Sequence, residues 1–320
     1  MGRRVGVLVG GWGEEREISL HTGAAVLSAL SEAGYSAVRV DAGQDLARVL
    51  VDKGVEVAFL ALHGRMGEDG RVQGLLEVLG IPYTGSGVLA SALAMNKPFA
   101  KKLFALHNLQ TPFGYTLRPD QLARQRELHG DLGFPCIAKP ACGGSSVGVS
   151  IASSFEQLAI AVHRASAYGG DVLVERYVRG QELTVGILED RVLGNCEMVH
   201  GLPVFDYSRK YEGGTQYHLP AQLSAARQAN VEQMAKAAYE ALGCRGYGRV
   251  DLIASEHDND HVLEVNTLPG LTQTSLLPKI AAHAGIPFPQ LVERILSQAE
   301  LDSECSVGRR MDAPGLKVAS

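Results

Sequence analysis

No two cysteines in this sequence stand in a C-x-x-C arrangement. The five present, Cys136, Cys142, Cys196, Cys244 and Cys305, are odd in number and widely spaced. That spacing suits neither a zinc site nor a disulfide framework, so a reducing, cytoplasmic setting is expected. Also missing is an apolar run long enough to span a bilayer, because Gly, His or charge breaks the longest candidates. The run Val5-Gly6-Val7-Leu8-Val9 is followed by Glu14, Glu15, Arg16 and Glu17, which fits a first strand and not a secretory leader. Charge of one sign is scarce: 30 Lys and Arg against 35 Asp and Glu leave a formal net charge of −5. That balance gives no electrostatic reason to expect a nucleic-acid partner, and without a spanning run no membrane is expected either. No internal repeat is present.

What remains is an ordinary globular composition. Apolar residues make up 46% of the 320 and charged residues 20%, enough to bury a substantial core in two or three domains. Residues 5–9 read as a strand ending at Gly10-Gly11. A helix follows from about Ser19, with Leu20, Ala24 and Leu27 as its spaced apolar positions. Val38–Val40 is a second strand. Val57–Leu62 is a third, nearly all apolar, as in a sheet covered on both faces. Residues 1–95 thus read as a small open α/β domain, whose ligands should lie beyond the strand ends, at the loops starting at Gly10 and His63. A helix is expected from Val88 to His107. A central unit, 96–180, contains a strand at Cys136–Lys139, a helix near 154–167 and a strand at Val172–Glu175. A C-terminal unit, 181–310, starts with a strand at Glu182–Ile187 and a polar surface loop at 205–219. It continues with a helix over 224–242 capped by Ser224, then two antiparallel strands at 249–254 and 262–267. Residues 311–320 read as a flexible tail. Met95 and Met198 read as core.

Three constellations could carry chemistry. The first is Lys139-Pro140-Ala141-Cys142-Gly143-Gly144-Ser145-Ser146-Val147-Gly148. Its backbone amides and hydroxyls could cradle phosphate, with a lysine nearby. It is not the G-x-x-x-x-G-K-[ST] loop, and an ordinary flexible loop explains it about as well. The second is Asp251 with Glu264 and Asn266. Positions i and i+2 of a strand share a face, and carboxylates on adjacent strands suit a hard cation such as Mg²⁺. A solvated sheet face is the competing explanation. Arg249 would join a metal site as a fixed positive fork. The third is Gly10 to Ser19, where acids at the loop mouth suit a substrate ammonium. Helix N-terminal acids explain Glu14, Glu15 and Glu17 equally well. His63, after the strongest strand, is a further ligand candidate.

Taken in order, these stretches resemble one family. They are Gly10-Gly11 with Glu15–Ser19, Leu62–Arg65 with Gly67–Gly70, Pro82–Gly87, Lys139-Pro140 with Gly144–Gly148, Gly246–Asp251, and Glu264–Thr267 with Pro269–Thr272. Together they look like the D-alanine–D-alanine ligases of the ATP-grasp superfamily, over nearly the whole chain. The resemblance implies an α/β fold, α+β in its ATP-binding part: an ATP-grasp fold preceded by a small open α/β domain. ATP contacts would fall to Lys97, Lys139, Glu175, Arg176, Tyr177, Val178, Glu182 and Lys210. Two Mg²⁺ (or Mn²⁺) ions would be held by Asp251, Glu264 and Asn266. Glu15, networked with Ser145 and Tyr211, would hold the first D-alanine's ammonium, and Arg249 would face the acyl phosphate. Ser275 and the amide of Leu276 would take the second carboxylate, with His63 close by. A homodimer is the expected assembly. The chain departs from the family pattern at Gly13, Trp12 and Asn96, none of them a catalytic group. Two rival readings are a ligase making D-alanyl-D-lactate or D-alanyl-D-serine and a nucleotide-binding regulator without turnover. Tyr211 weighs against lactate use, and the retained lysines, arginine and metal ligands weigh against the second.

Overall fold

Val5–Val9 (β1), Ala37–Asp41 (β2) and Val57–Leu60 (β3) form a parallel sheet in the order β2-β1-β3. β1 and β3 are buried along their whole length, which is why both read as continuous apolar runs. This is a computed structural model, and it describes residues 3–13, 15–144, 147–168, 170–199, 216–256 and 259–302. Ser145, Lys210, Tyr211 and the expected tail at 311–320 lie outside the described residues.

The first helix is Arg16–Glu32, three residues longer at its start than the apolar spacing indicates. Its buried stripe is Ser19, Thr22, Gly23, Val26, Ala29 and Leu30, and the expected contact residue Ala24 faces solvent. Small residues set this face. A Cβ on Gly23 would stand 2.0 Å from a Val9 methyl, so glycine allows the helix to sit directly on β1.

The single helix expected over 88–107 is two helices, Val88–Met95 and Lys97–Leu106. Asn96 breaks the run with extended backbone, and its side chain accepts a bond from Phe99 N at 3.2 Å, capping the second helix. Lys97 N donates to Ala141 O at 2.9 Å. The break thereby fixes Lys97 beside the glycine/serine loop.

Gly114–Leu117 (β4), Cys136–Pro140 (β5), Ser150–Ala152 (β6) and Val172–Arg176 (β7) form an antiparallel sheet in the order β4-β7-β5-β6. Gly180–Leu188 (β8), Arg191–Val199 (β9), Gln216–His218 (β10), Tyr247–Ser255 (β11) and His261–Asn266 (β12) form a second, in the order β10-β9-β8-β11-β12. β10 corrects the expected loop over 205–219: residues 216–218 pair antiparallel with Glu197–Val199.

The helix Ala225–Ala241 starts at Ser224, whose hydroxyl accepts from Arg227 N at 3.4 Å, and it buries Val231, Ala235, Ala238 and Tyr239. The helices Leu276–His283 and Phe288–Ser297 add Leu277, Ala281, Leu291, Val292 and Ile295 to the core of the first sheet. Each of the Leu, Val and Ile side chains among them contributes roughly 1.5–3 kcal/mol on leaving water. Among the described residues no helix is long and apolar enough to cross a membrane.

Candidate active site

A cavity of about 1430 Å³ lies between the two antiparallel sheets, and the loops after β1 and β3 wall one side of it. Every expected site residue that the structure describes lines it. Glu15 and His63 come from those loops, Lys97 from a helix start, and Lys139 from β5. Glu175 and Arg176 end β7, Tyr177 and Val178 lie in the β7–β8 connection, and Glu182 sits on β8. Arg249 and Asp251 stand on β11, Glu264 and Asn266 on β12, and Ser275 and Leu276 at a helix start. Trp12, 57% exposed, lines the same cavity, as do Met95, only half-buried and thus not core, and the buried Met198.

Strand register explains the densest cluster. Arg249 pairs with Asn266 and Asp251 with Glu264, so period-two alternation brings all four to one face. Arg249 Nε and one terminal nitrogen grip the two Asp251 oxygens at 2.8 Å each. Thr184 Oγ1, on β8, donates to Asp251 Oδ1 at 2.7 Å. Lys97 Nζ lies 2.8 Å from Glu264 Oε2 and donates to Gly143 O at 2.6 Å. Burial pushes the Glu264 carboxyl up, but Lys97, then Lys139 and Arg249, outweigh it and bring it down to about 2.

A second buried group lies at the inner end of β7. Glu175, 1% exposed, accepts from Lys101 Nζ at 2.6 Å and from Lys139 Nζ through its other oxygen. Burial would raise this carboxyl; Lys139 and Lys101 hold it below its ordinary value. Lys101 itself is pushed down to about 8 by burial, helped by repulsion from Lys139 and Lys97, which together outweigh the stabilising charge of Glu175. Sequence reasoning missed Lys101. The signal was available, since Lys97 and Lys101 are four apart on one helix and must share a face.

The third cluster is acidic. A Cβ on Gly64 would stand 2.0 Å from Glu15 Oε2, and Gly64 N donates to Glu68 Oε2 at 2.6 Å, so one glycine separates two carboxylates. Burial, then the charge of Glu15, pushes Glu68 up to about 8. Glu68 was also missed as a site residue. Of the candidate acids Glu14, Glu15 and Glu17, only Glu15 is bracketed this way, with Gly144 on its other side; Glu14 lies outside the described residues. His63 Nδ1 lies 3.1 Å from Leu268 O and so donates to it, which leaves Nε2 to accept from Thr22 Oγ1 at 3.0 Å. Ser275 does not cap its helix; its Oγ instead accepts from Thr272 N at 3.1 Å. The start of that helix faces the cavity, an electropositive end suited to a carboxylate.

Whether a hard cation fits can be tested on these atoms. Among the described residues no three His, Cys, Asp or Glu side chains gather in metal-binding fashion. What gathers is two carboxylates and an amide. Asn266 Oδ1 is buried and has no hydrogen-bond partner among the described residues, which is costly for a buried acceptor unless a ligand completes it. An all-oxygen set with one orphaned acceptor suits Mg²⁺ or Mn²⁺.

Two antiparallel sheets enclosing a cavity of buried lysines and carboxylates, behind a parallel α/β unit, form an ATP-grasp-type enzyme architecture. Solved structures share it. The D-alanine–D-alanine ligase from Bacillus anthracis superposes with a TM-score of 0.84 at 37% identity, covering 92% of this chain and 97% of its own. A D-alanine–D-alanine ligase from Bacillus anthracis complexed with ATP gives 0.80 at 33%, with the same coverage. The VanG D-Ala:D-Ser ligase from Enterococcus faecalis gives 0.81 at 26%, covering 93% and 99%. A D-alanine–D-alanine ligase from Geobacter sulfurreducens is 50% identical over 304 residues, 93% of this chain and 94% of its own. The family models for the D-ala D-ala ligase C-terminus and N-terminus match residues 110–297 and 42–86. The chain belongs to the D-alanine–D-alanine ligase family.

Proposed function

We propose that this protein joins two D-alanines to D-alanyl-D-alanine at the expense of ATP, through a D-alanyl phosphate, and so supplies a peptidoglycan precursor. The observation that carries this reading is the convergence of three unlike clusters on one cavity: phosphate-type lysines, an oxygen set with an arginine, and an acidic loop. In this reading Lys97 and Lys139 bind the nucleotide's phosphates. Glu175 to Val178 and Glu182 bind the adenosine. Glu15 holds the first D-alanine's ammonium, which aims its carboxylate at the γ-phosphate. Asp251, Glu264 and Asn266 would hold two Mg²⁺ or Mn²⁺ ions, which supply neutralisation of phosphate charge. Arg249 stabilises the charge that develops when the second amine attacks the acyl carbon. Ser275 and the Leu276 amide hold the second carboxylate, and His63 fixes the wall beside it. Ser145, Lys210 and Tyr211 complete the set by resemblance. We propose D-alanine as the acceptor, a homodimer as the working assembly and three domains, 1–95, 96–180 and 181–310.

The test is product analysis with ATP, Mg²⁺ and D-alanine, alone and in competition with D-lactate or D-serine. ADP release with dipeptide as the main product is expected. Mainly depsipeptide or D-alanyl-D-serine would overturn the acceptor assignment. No ADP release, with nucleotide still quenching or shifting the emission of Trp12, the sole tryptophan, would favour a binding protein without turnover.

A further inference from the structure

An amino acid in neutral water carries an ammonium, and an ammonium has no lone pair with which to attack. The second D-alanine must lose a proton inside the cavity before its nitrogen can reach the acyl carbon. His63 is poorly placed to take that proton, since its Nδ1–H is spent on Leu268 O and its Nε2 accepts from Thr22. Glu68 is better placed. It lines the cavity but is only 8% exposed, and it stands across Gly64 from Glu15.

We propose that Glu68 is the proton acceptor for the second amino acid's ammonium, an inference that rests on the ligase reading above. The groups facing it are the Gly64 amide, Glu15 before the first helix, Arg249 and Tyr247 on β11, and Glu264 on β12. They bear on its charge in opposite directions. Burial and the two carboxylates favour the protonated form, while the amide and Arg249 favour the anion. An ordinary carboxylate is a weak base toward an ammonium. A carboxyl held near 8 is close to the working pH and far better matched to the transfer. Binding of the first substrate's ammonium at Glu15 compensates one negative neighbour and favours the ionised, proton-accepting form of Glu68 at the point in the cycle where it is needed.

The step balances. One ammonium proton passes to Glu68 and leaves a neutral amine. The C–N bond forms, the bond from carbon to the phosphate oxygen breaks, and the second nitrogen proton leaves with the phosphate as hydrogen phosphate. The Glu68 proton then returns to solvent.

The experiment compares two nucleophiles on the full-length Glu68→Gln protein with ATP, Mg²⁺ and D-alanine. Hydroxylamine is already neutral near neutral pH and traps an acyl phosphate as the hydroxamate without a base. Dipeptide formation should fall by about 10²–10⁴-fold, the usual weight of a general base, while hydroxamate formation stays near the wild-type rate. Unchanged dipeptide synthesis would overturn the proposal. So would a parallel fall in both products, which would assign Glu68 to the first substrate instead. If the variant does not fold, the wild-type pH profiles decide. The acid limb of dipeptide formation should be absent from hydroxamate formation, and identical limbs would overturn the proposal. A wild-type protein making neither product would sink the ligase reading itself, and this inference with it.

Discussion

Replacing Glu264 by Gln should abolish turnover, by about 10³-fold or more if a metal-held phosphate clamp is lost, while nucleotide still binds. Glu264 compensates a cluster of buried cations. Lys97 sits 2.8 Å from it, and Lys139 and Arg249 lie within electrostatic reach. Removing one negative charge leaves these cations less compensated, so ATP without metal should bind at least as well as before. Affinity and rate therefore move apart, which loss of fold would not produce. Calorimetry for ATP beside a coupled ADP assay reads both. Normal turnover at low Mg²⁺ would remove Glu264 from the metal set. The pH dependence follows the same charge. Glu264 is held near 2 in the folded protein, below its ordinary 4.5. Its contribution to stability is present above that ordinary value and is lost as pH falls toward 2. The variant should lack this part of the acid-unfolding curve.

A methyl group added at Gly64 should cost more in substrate affinity than in stability. Gly64 has φ +66°, a left-handed conformation that costs a side-chain-bearing residue roughly 1–2 kcal/mol. The new Cβ would also stand 2.0 Å from Glu15 Oε2. The far end of a flexible side chain yields easily, so the fold survives. The displaced carboxylate is the one assigned to the first ammonium. Losing a charge-assisted hydrogen bond of about 1.5–3 kcal/mol corresponds to a rise in the D-alanine requirement of roughly 10–100-fold. Gly80→Ala is the control, with φ +64° and nothing within 4 Å of an added Cβ. Both variants should lose similar stability in a urea titration, and only Gly64→Ala should need more D-alanine. Equal D-alanine kinetics in the two would separate Glu15 from substrate binding.

How far these features could be read in advance depended on whether the signal was local. β3 and β12 were legible because sheet periodicity is a property of a few consecutive residues: Glu264 and Asn266 had to share a face wherever the strand went. The join between the helices at Asn96 is masked by apolar spacing that continues across it, although Asn96 as a cap with Pro98 behind it is a local helix-start signal; the bond from Lys97 N to Ala141 O then fixes the break in the tertiary structure. The buried face of the first helix was misjudged for a related reason. Gly23, Ser19 and Thr22 are buried to let the helix approach β1, and small or polar residues carry no apolar signal. Glu68 is one acid in a polar loop. What sets it apart is its distance from Glu15 and its burial, and both belong to the tertiary structure.

The pairing of Arg249 with Asp251, Lys97 with Glu264 and Lys139 with Glu175 has a consequence for how ligands enter. Each cation suited to phosphate is already neutralised by a carboxylate of the same cavity. Binding is then an exchange of partners instead of the filling of a charged hole. A nucleotide that claims the lysines releases carboxylates, and a divalent cation that claims carboxylates releases lysines. Either ligand arriving alone strands charges in a buried setting, and both together strand none. If the carboxylates hold a divalent cation as proposed, metal and nucleotide affinities should therefore be linked, each raising the other by the same factor, and the protein should select the complex of the two over either component.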